Sequence, residues 1–302
     1  MSVPQTASVV ELPPRRSLAH AALIALRPRQ WTKNLLLFAG IVFAAKLGDW
    51  WRWLDALAAF AAYCAASSAA YLMNDVRDAP HDRAHPTKRM RPIARGEVSP
   101  RLAYWLAGAL VVVAFALVAP LGLVSVAFLA GFLALQAGYT LSLKHVVLID
   151  VMAISGLFVL RAAAGAAAVH VRISPWLLLC TALLALFLAL AKRRGELVLV
   201  GAEATPGRPV LEGYSLALVD QLVAIVAACT VISYSLYTFT ARDSKAMMVT
   251  IPFVVFGVFR YLLLVHRQDL GEEPEEVLLR DAPILVCMAA WAVCAAILLA
   301  VT

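Results

Sequence analysis

Residues 54–82 read LDALAAFAAYCAASSAAYLMNDVRDAPHD. The first twenty are apolar or small apart from Asp55, and then Asn74, Asp75, Asp78 and Asp82 follow within nine positions. A run of about twenty apolar residues is what a helix needs to cross the hydrocarbon core at about 1.5 Å per residue. Acids three and four residues apart share one helical face. This stretch therefore predicts a membrane-spanning helix that delivers a row of carboxylates to the edge of the bilayer.

Similar apolar runs recur outward from it. Reading them between charged or Pro/Gly breaks predicts nine spans, over 35–50, 54–73, 101–119, 121–139, 146–169, 174–191, 214–240, 246–265 and 282–301. Of the 302 residues, 63% are hydrophobic and only 15% are charged, against roughly 25% charged in soluble domains. The composition excludes an ordinary soluble enzyme. No strands of alternating polarity point to an outer-membrane barrel. The expected class is an all-α integral membrane protein with its polar loops on one side.

Residues 1–14 are polar and proline-containing without the apolar core of a cleaved leader, and 1–17 reads as a disordered tail before a single domain over 18–302. Leu18, Ala22, Leu23 and Leu26 give 17–31 the apolar face of a short interfacial helix. With nine spans, the N-terminus and the connections after every second span carry most of the 26 Lys and Arg residues, which the positive-inside rule places in the cytoplasm of an inner (plasma) membrane. The net charge of +7 follows from that bias, and nucleic acid is not an expected partner. Cys64, Cys180, Cys229, Cys287 and Cys294 lie in apolar runs without metal or redox spacing, as small packing residues do. Gly156, Ala163, Gly165 and Ala167 suit close helix packing, within the chain or in a homo-oligomer.

Two long polar connections on the cytoplasmic side are where chemistry is expected. The first, residues 74–100, begins with the acids and continues into Lys88, Arg89, Arg91 and Arg95. Neighbouring carboxylates repel unless a cation neutralises them, and oxygen donors without His or Cys favour a hard ion such as Mg²⁺. Asn74, Asp75, Asp78 and Asp82 are the candidate ligands, with Asp75 and Asp78 central to catalysis. Pro80 removes a backbone donor and crowds the preceding turn, so it is expected to bend the helix before Asp82. Cations beside a carboxylate-held metal are how proteins grip phosphoryl and diphosphate groups.

The second connection opens with KRRGEL at 192–197. Lys192, Arg193 and Arg194 would attract phosphate, and Glu196 could reach a metal. Arg161 lies deep in the fifth span, where an ionisable residue is expensive and is a functional candidate by default. Lys33 and Asn34 in the string RPRQWTKN (27–34), and Tyr139 and Lys144 near the end of the fourth span, complete the polar edge.

The Asn74, Asp75, Asp78 and Asp82 pattern at the end of a second span resembles the first aspartate motif of the UbiA superfamily of intramembrane transferases. The resemblance runs from 27 to the ninth span and implies helices around a polar cavity open to the cytoplasmic side. Most members join a prenyl diphosphate to an acceptor through two aspartate motifs. This chain has Lys192-Arg-Arg-Gly-Glu196 where the second would stand, and with YTLSLKH (139–145) it looks most like the decaprenyl-phosphate phosphoribosyltransferase branch. That branch implies Mg²⁺, phosphoribosyl diphosphate and a polyprenyl phosphate as cofactor and substrates, in synthesis of an arabinan cell-wall precursor. Extra cations fit a substrate pair that carries more phosphate. A prenyltransferase with an aromatic or isoprenoid acceptor is the rival within the class. A transporter of anionic solutes is the rival outside it, although transporters place their polar groups near the midplane of interrupted helices.

Overall fold

The computed structural model describes residues 14–43, 48–84, 87–203, 209–240, 244–267 and 280–301. Among them there is helix and no strand. Short α1 (Leu18–Ala25) leads into a 3-10 segment (Pro28–Phe38) and a one-turn α2 (Ala39–Phe43). The long helices are α3 (Trp50–Ala84), α4 (Pro100–Val118), α5 (Leu123–Leu141), α6 (Ile149–Ala168), α7 (Pro175–Glu203), α8 (Leu216–Thr240), α9 (Ile251–Arg267) and α10 (Ala282–Val301).

Seven helices among the described residues are long and apolar enough to cross a membrane, and α10 contributes a shorter apolar stretch. The expected first span is not a continuous α-helix. Its first four residues belong to the 3-10 segment, pressed onto α6 so closely that a Cβ on Gly165 would lie 2.0 Å from the carbonyl oxygen of Leu37. Gly40 meets the backbone of Ala166 in the same way. These glycines let two backbones approach to a distance no side chain would permit, so the close packing expected of Gly165 occurs within the chain. Residues 1–13 of the expected tail lie outside the described residues. Arg16, also assigned to that tail, bonds through its backbone N–H and its guanidinium to Glu97 and through Nη1 to the Met90 carbonyl.

Consecutive long helices pack side by side, and α6 also touches α3, α2 and the 3-10 segment. In α3 and α6, 61% of the apolar window is buried, against 22–33% in the other spans. These two are the inner helices, and they carry the acids and Arg161. Elsewhere large apolar side chains face outward: Leu123 is 83% exposed, Val286 69% and Phe259 62%. A surface that apolar is stable in lipid and not in water. Exposed Trp50 and Trp51 begin α3, and Tyr104 and Trp105 stand near the start of α4, as aromatic belts do at both interfaces. Asp75 lies 24 residues beyond Trp51, about 36 Å along the helix at 1.5 Å per residue, just past a hydrocarbon core of about 30 Å.

Candidate active site

Helix α3 runs unbroken through Pro80 to Ala84. The helix is not interrupted before Asp82, and Arg91 reaches both Asp75 and Asp82. Arg83 Nε donates to the Ala94 carbonyl at 3.1 Å, and the returning loop buries Ile93 and Val98 against Ala21, Ala25, Ala69, Leu72 and Ala79. Tertiary packing of that loop outweighs the hydrogen bond that a proline removes from the helix.

Each acid already faces a cation. Arg27 Nη2 lies 2.5 Å from Asp75 Oδ1, and Arg91 Nη1 approaches the same oxygen at 3.3 Å. That Nη1 also lies 2.7 Å from Asp82 Oδ2, so one guanidinium sits between carboxylates two turns apart. Lys144 Nζ pairs with Asp78 Oδ1 at 3.1 Å, and Asn74 Nδ2 donates to Asp78 Oδ2 at 2.9 Å. Asp75 and Asp82 are buried, and Asp78 is half-buried. The structure thus brings together Asn74, Asp75, Asp78, Asp82, Arg91 and Lys144 from the expected set. It adds Arg27, which the sequence reading treated only as part of a polar string. Among the described residues no three His, Cys, Asp or Glu side chains converge closely enough to hold an ion by themselves. The donor chemistry nevertheless fits Mg²⁺: Asp75, Asp78 and Asp82 supply carboxylate oxygens and no soft His or Cys donor stands among them.

Lys88 and Arg89 lie on a 3-10 turn (Lys88–Met90) ahead of Arg91, and Lys33 lies on the 3-10 segment. One layer deeper, Arg161 Nε donates to Asn34 Oδ1 at 2.7 Å and its Nη1 to the Leu157 carbonyl at 3.0 Å. The guanidinium lies over the rings of Phe132 (4.6 Å) and Phe158 (5.3 Å), a favourable setting for a desolvated cation. Asn34 Nδ2 points to Cys64 Sγ at 3.3 Å. The ring of Tyr71 lies under Arg27, 4.9 Å from the guanidinium carbon.

The KRRGEL arginines stand elsewhere. Arg193, 1% exposed, donates from Nε to Asp150 Oδ2 at 2.7 Å and pairs through Nη1 with Glu196. Asp150, 0% exposed, also accepts from the Tyr214 hydroxyl at 2.7 Å, and that hydroxyl takes the Leu148 N–H at 2.7 Å. Burial and the bond to Asp150 push the Tyr214 phenol up to about 12. Tyr139 is half-buried within electrostatic reach of Arg193. Arg194 joins α7 to α8 and α9 through Asp220 (2.7 Å) and the Val265 carbonyl (3.0 Å). Of the three cations expected to attract phosphate here, Arg193 and Arg194 pair with acids and tie α7 to its neighbours. Lys192 is half-buried on α7 beside them.

The profile of the UbiA prenyltransferase family matches residues 35–280. The chain belongs to the UbiA prenyltransferase family. The decaprenyl-phosphate phosphoribosyltransferase of Mycolicibacterium smegmatis is 36% identical over 298 residues, covering 92% of each chain. That of Corynebacterium glutamicum is 35% identical over 93% of this chain and 87% of its own. A UbiA homologue from Archaeoglobus fulgidus, solved with GPP and Mg²⁺, superposes with a TM-score of 0.71 at 17% identity, covering 93% of this chain and 100% of that one. At that identity the likeness establishes the UbiA fold.

The residues that sequence reasoning missed had a readable signal. A buried carboxylate requires a partner, and Asp150, in the middle of an apolar stretch, has none nearby in the sequence. Arg161 lies eleven residues along the same helix, roughly 16 Å away, too far to be that partner. The partner is Arg193, from the next helix.

Proposed function

We propose that this chain transfers 5-phosphoribose from phosphoribosyl diphosphate to a polyprenyl phosphate and releases diphosphate. The reaction is placed at the cytoplasmic face of the inner membrane, in a nine-span bundle that counts the broken segment 28–43 and α10. The observation that carries this reading is the facing of Asp75, Asp78 and Asp82 by Arg27, Arg91 and Lys144 at the membrane edge. Full-length similarity to two decaprenyl-phosphate phosphoribosyltransferases supports the choice of donor and acceptor.

In the reaction, the bond between ribose C1 and the diphosphate oxygen breaks, and a bond from C1 to a lipid phosphate oxygen forms. Asn74, Asp75, Asp78 and Asp82 would hold Mg²⁺, which when bound neutralises charge building on the departing diphosphate. Arg27, Arg91 and Lys144 grip the diphosphate oxygens, with Lys33, Lys88, Arg89 and Lys192 along the rim. Arg161, set deeper and oriented by Asn34, faces a phosphate of one substrate. Tyr139 and Glu196 border the site through Arg193, whose part is to position α7 against α6. The acceptor phosphate is anionic at neutral pH, so it needs positioning rather than deprotonation. That agrees with a site built from acids and cations without a Ser/His pair.

The test offers the purified protein both phosphoribosyl diphosphate and a prenyl diphosphate, with polyprenyl phosphate, 4-hydroxybenzoate and Mg²⁺. Mass spectrometry of the lipid product is expected to find phosphoribosylated polyprenyl phosphate. A prenylated aromatic with no phosphoribosylated lipid would overturn the assignment and establish a prenyltransferase. Accumulation of solute in vesicles without a lipid product would establish a transporter.

A further inference from the structure

Asp75 Oδ1 is shared by two guanidinium groups, that of Arg27 at 2.5 Å and that of Arg91 at 3.3 Å, on a carboxylate only 2% exposed. The Arg27 backbone has φ 55° and ψ 59°, in the left-handed region that L residues rarely adopt. It is pinned there by Arg27 N–H to the Ile24 carbonyl (3.0 Å) and Gln30 N–H to the Arg27 carbonyl (2.9 Å). This hinge joins α1 to the 3-10 segment and aims the side chain over Tyr71 at the acid. An unusual backbone maintained by its surroundings at a charged site is where function is to be sought.

A divalent ion cannot take that oxygen while two guanidiniums remain beside it, because each repels the ion at short range. Asp82 is held by the same Arg91, and Asp78 by Lys144, so no acid of the row is free of a cation. The row accepts a metal when its cations acquire another anion, and a diphosphate arriving with the metal supplies one. We propose that Arg27, together with Arg91, is a resident counter-ion of Asp75 that makes binding of the divalent ion and of the donor's diphosphate mutually dependent. This rests on the metal and diphosphate reading above. It adds that Arg27 has two settings, on Asp75 without ligands and on phosphate oxygens with them. By linkage the dependence is reciprocal: diphosphate raises metal affinity by the same factor that metal raises diphosphate affinity.

The experiment titrates Mn²⁺ into the full chain in detergent, with and without saturating inorganic diphosphate. Protein-bound Mn²⁺ is measured by equilibrium dialysis against the same buffer, so that Mn²⁺ complexed by diphosphate in solution is present equally on both sides, and folding is followed by thermal unfolding. Wild type is expected to bind Mn²⁺ at least about tenfold more tightly with diphosphate present, within the usual range of coupling between sites. Arg27→Gln is expected to bind Mn²⁺ alone more tightly than wild type while losing most of the enhancement by diphosphate. Arg27→Lys, which keeps the charge without the fork, should fall between them. Equal Mn²⁺ affinity with and without diphosphate in wild type would overturn the proposal. So would an Arg27→Gln protein with wild-type affinity and enhancement, or one that binds Mn²⁺ alone more weakly. If Arg27→Gln fails to fold, Tyr71→Leu removes the ring beneath the guanidinium and should shift both quantities in the same direction. Unchanged coupling there overturns the proposal equally. Neither ribose nor lipid enters the measurement. A chain that transfers a different group from a diphosphate would keep the coupling, whereas phosphoribosyl transfer by a chain without it would sink this inference alone.

Discussion

Replacing Arg193 by Met separates the two roles a KRRGEL arginine can have. The substitution removes a guanidinium that is 1% exposed and leaves Asp150, 0% exposed, with Tyr214 as its remaining side-chain partner. Breaking a buried pair from one side costs about 3–5 kcal/mol, because the stranded charge keeps its desolvation penalty. At about 2–4 °C per kcal/mol, the thermal midpoint should fall on the order of 10 °C. Converting Asp150 to Asn in the same protein removes the stranded charge and keeps an acceptor for the Tyr214 hydroxyl. The double variant should therefore recover more than half of the loss. The assay is thermal unfolding of the full chain in detergent, followed by tryptophan fluorescence, together with transfer per folded molecule. An Arg193→Met protein with an unchanged midpoint and a raised KM for phosphoribosyl diphosphate would refute the reasoning, since its guanidinium would then face substrate and not Asp150.

Asp78→Ala should abolish transfer with the midpoint within a few degrees of wild type, and near-normal turnover at saturating Mg²⁺ would sink the metal assignment. EDTA should stop the reaction, and Mg²⁺ or Mn²⁺ should restore it. Arg161→Leu should give well-expressed but poorly active protein, because it removes a mid-membrane charge costing about 2.5–3.5 kcal/mol on insertion scales along with the partner that orients Asn34; poor folding with full specific activity would make Arg161 purely structural. The Tyr214 phenol, raised to about 12 in the folded protein against an ordinary value of about 10, holds its proton more firmly when folded; its contribution should be complete below pH 10 and decline as pH rises from 10 to 12, and a Tyr214→Phe protein that loses stability equally across that window would contradict this. Gly165→Ala should cost stability and activity together, since its Cβ would collide with the Leu37 carbonyl at 2.0 Å, whereas Gly257→Ala, which meets nothing within 4 Å, should be neutral or stabilising; equal thermal midpoints for the two would refute the packing argument.

Much of the fold was legible because the bilayer imposes a length on every apolar run. The seven spanning helices and α10 follow from that rule. The broken segment 28–43 did not follow, because its conformation depends on contact with another part of the chain. The run 35–50 satisfies a span by composition, but its 3-10 beginning lies against Gly165 and turns Asn34 inward to Arg161. Pro80 was misleading in the opposite sense. Its local effect is real, but Arg83 and the buried Ile93 and Val98 hold the last turns of α3 in place. The acid row was readable from spacing alone, since i, i+3 and i+7 fix a helical face without reference to anything else. Cations carry no such periodic mark: Arg27, Arg91 and Lys144 converge from three separate connections, and only the fold shows that these, and not Arg193 or Arg194, face the acids.

That difference in partners bears on how the second half of the site is built. Where relatives with two aspartate motifs would present acids, this chain has Lys192 and Glu196 on either side of an arginine that Asp150 draws into the protein. The acids near α7 are thus engaged by arginines: Arg193–Asp150 and Arg194–Asp220 link helices, and Arg193–Glu196 lies within α7. Metal holding should consequently be asymmetric and centred on α3. Glu196→Gln should then change the midpoint through Arg193 more than it changes the Mg²⁺ concentration needed for half-maximal rate, while Asp75→Asn should raise that requirement sharply or abolish turnover. Measuring the Mg²⁺ dependence of transfer alongside thermal unfolding in both variants checks the assignment. If Glu196→Gln shifts the Mg²⁺ requirement by as much as Asp75→Asn, a metal is held from α7 as well and the asymmetric arrangement is wrong.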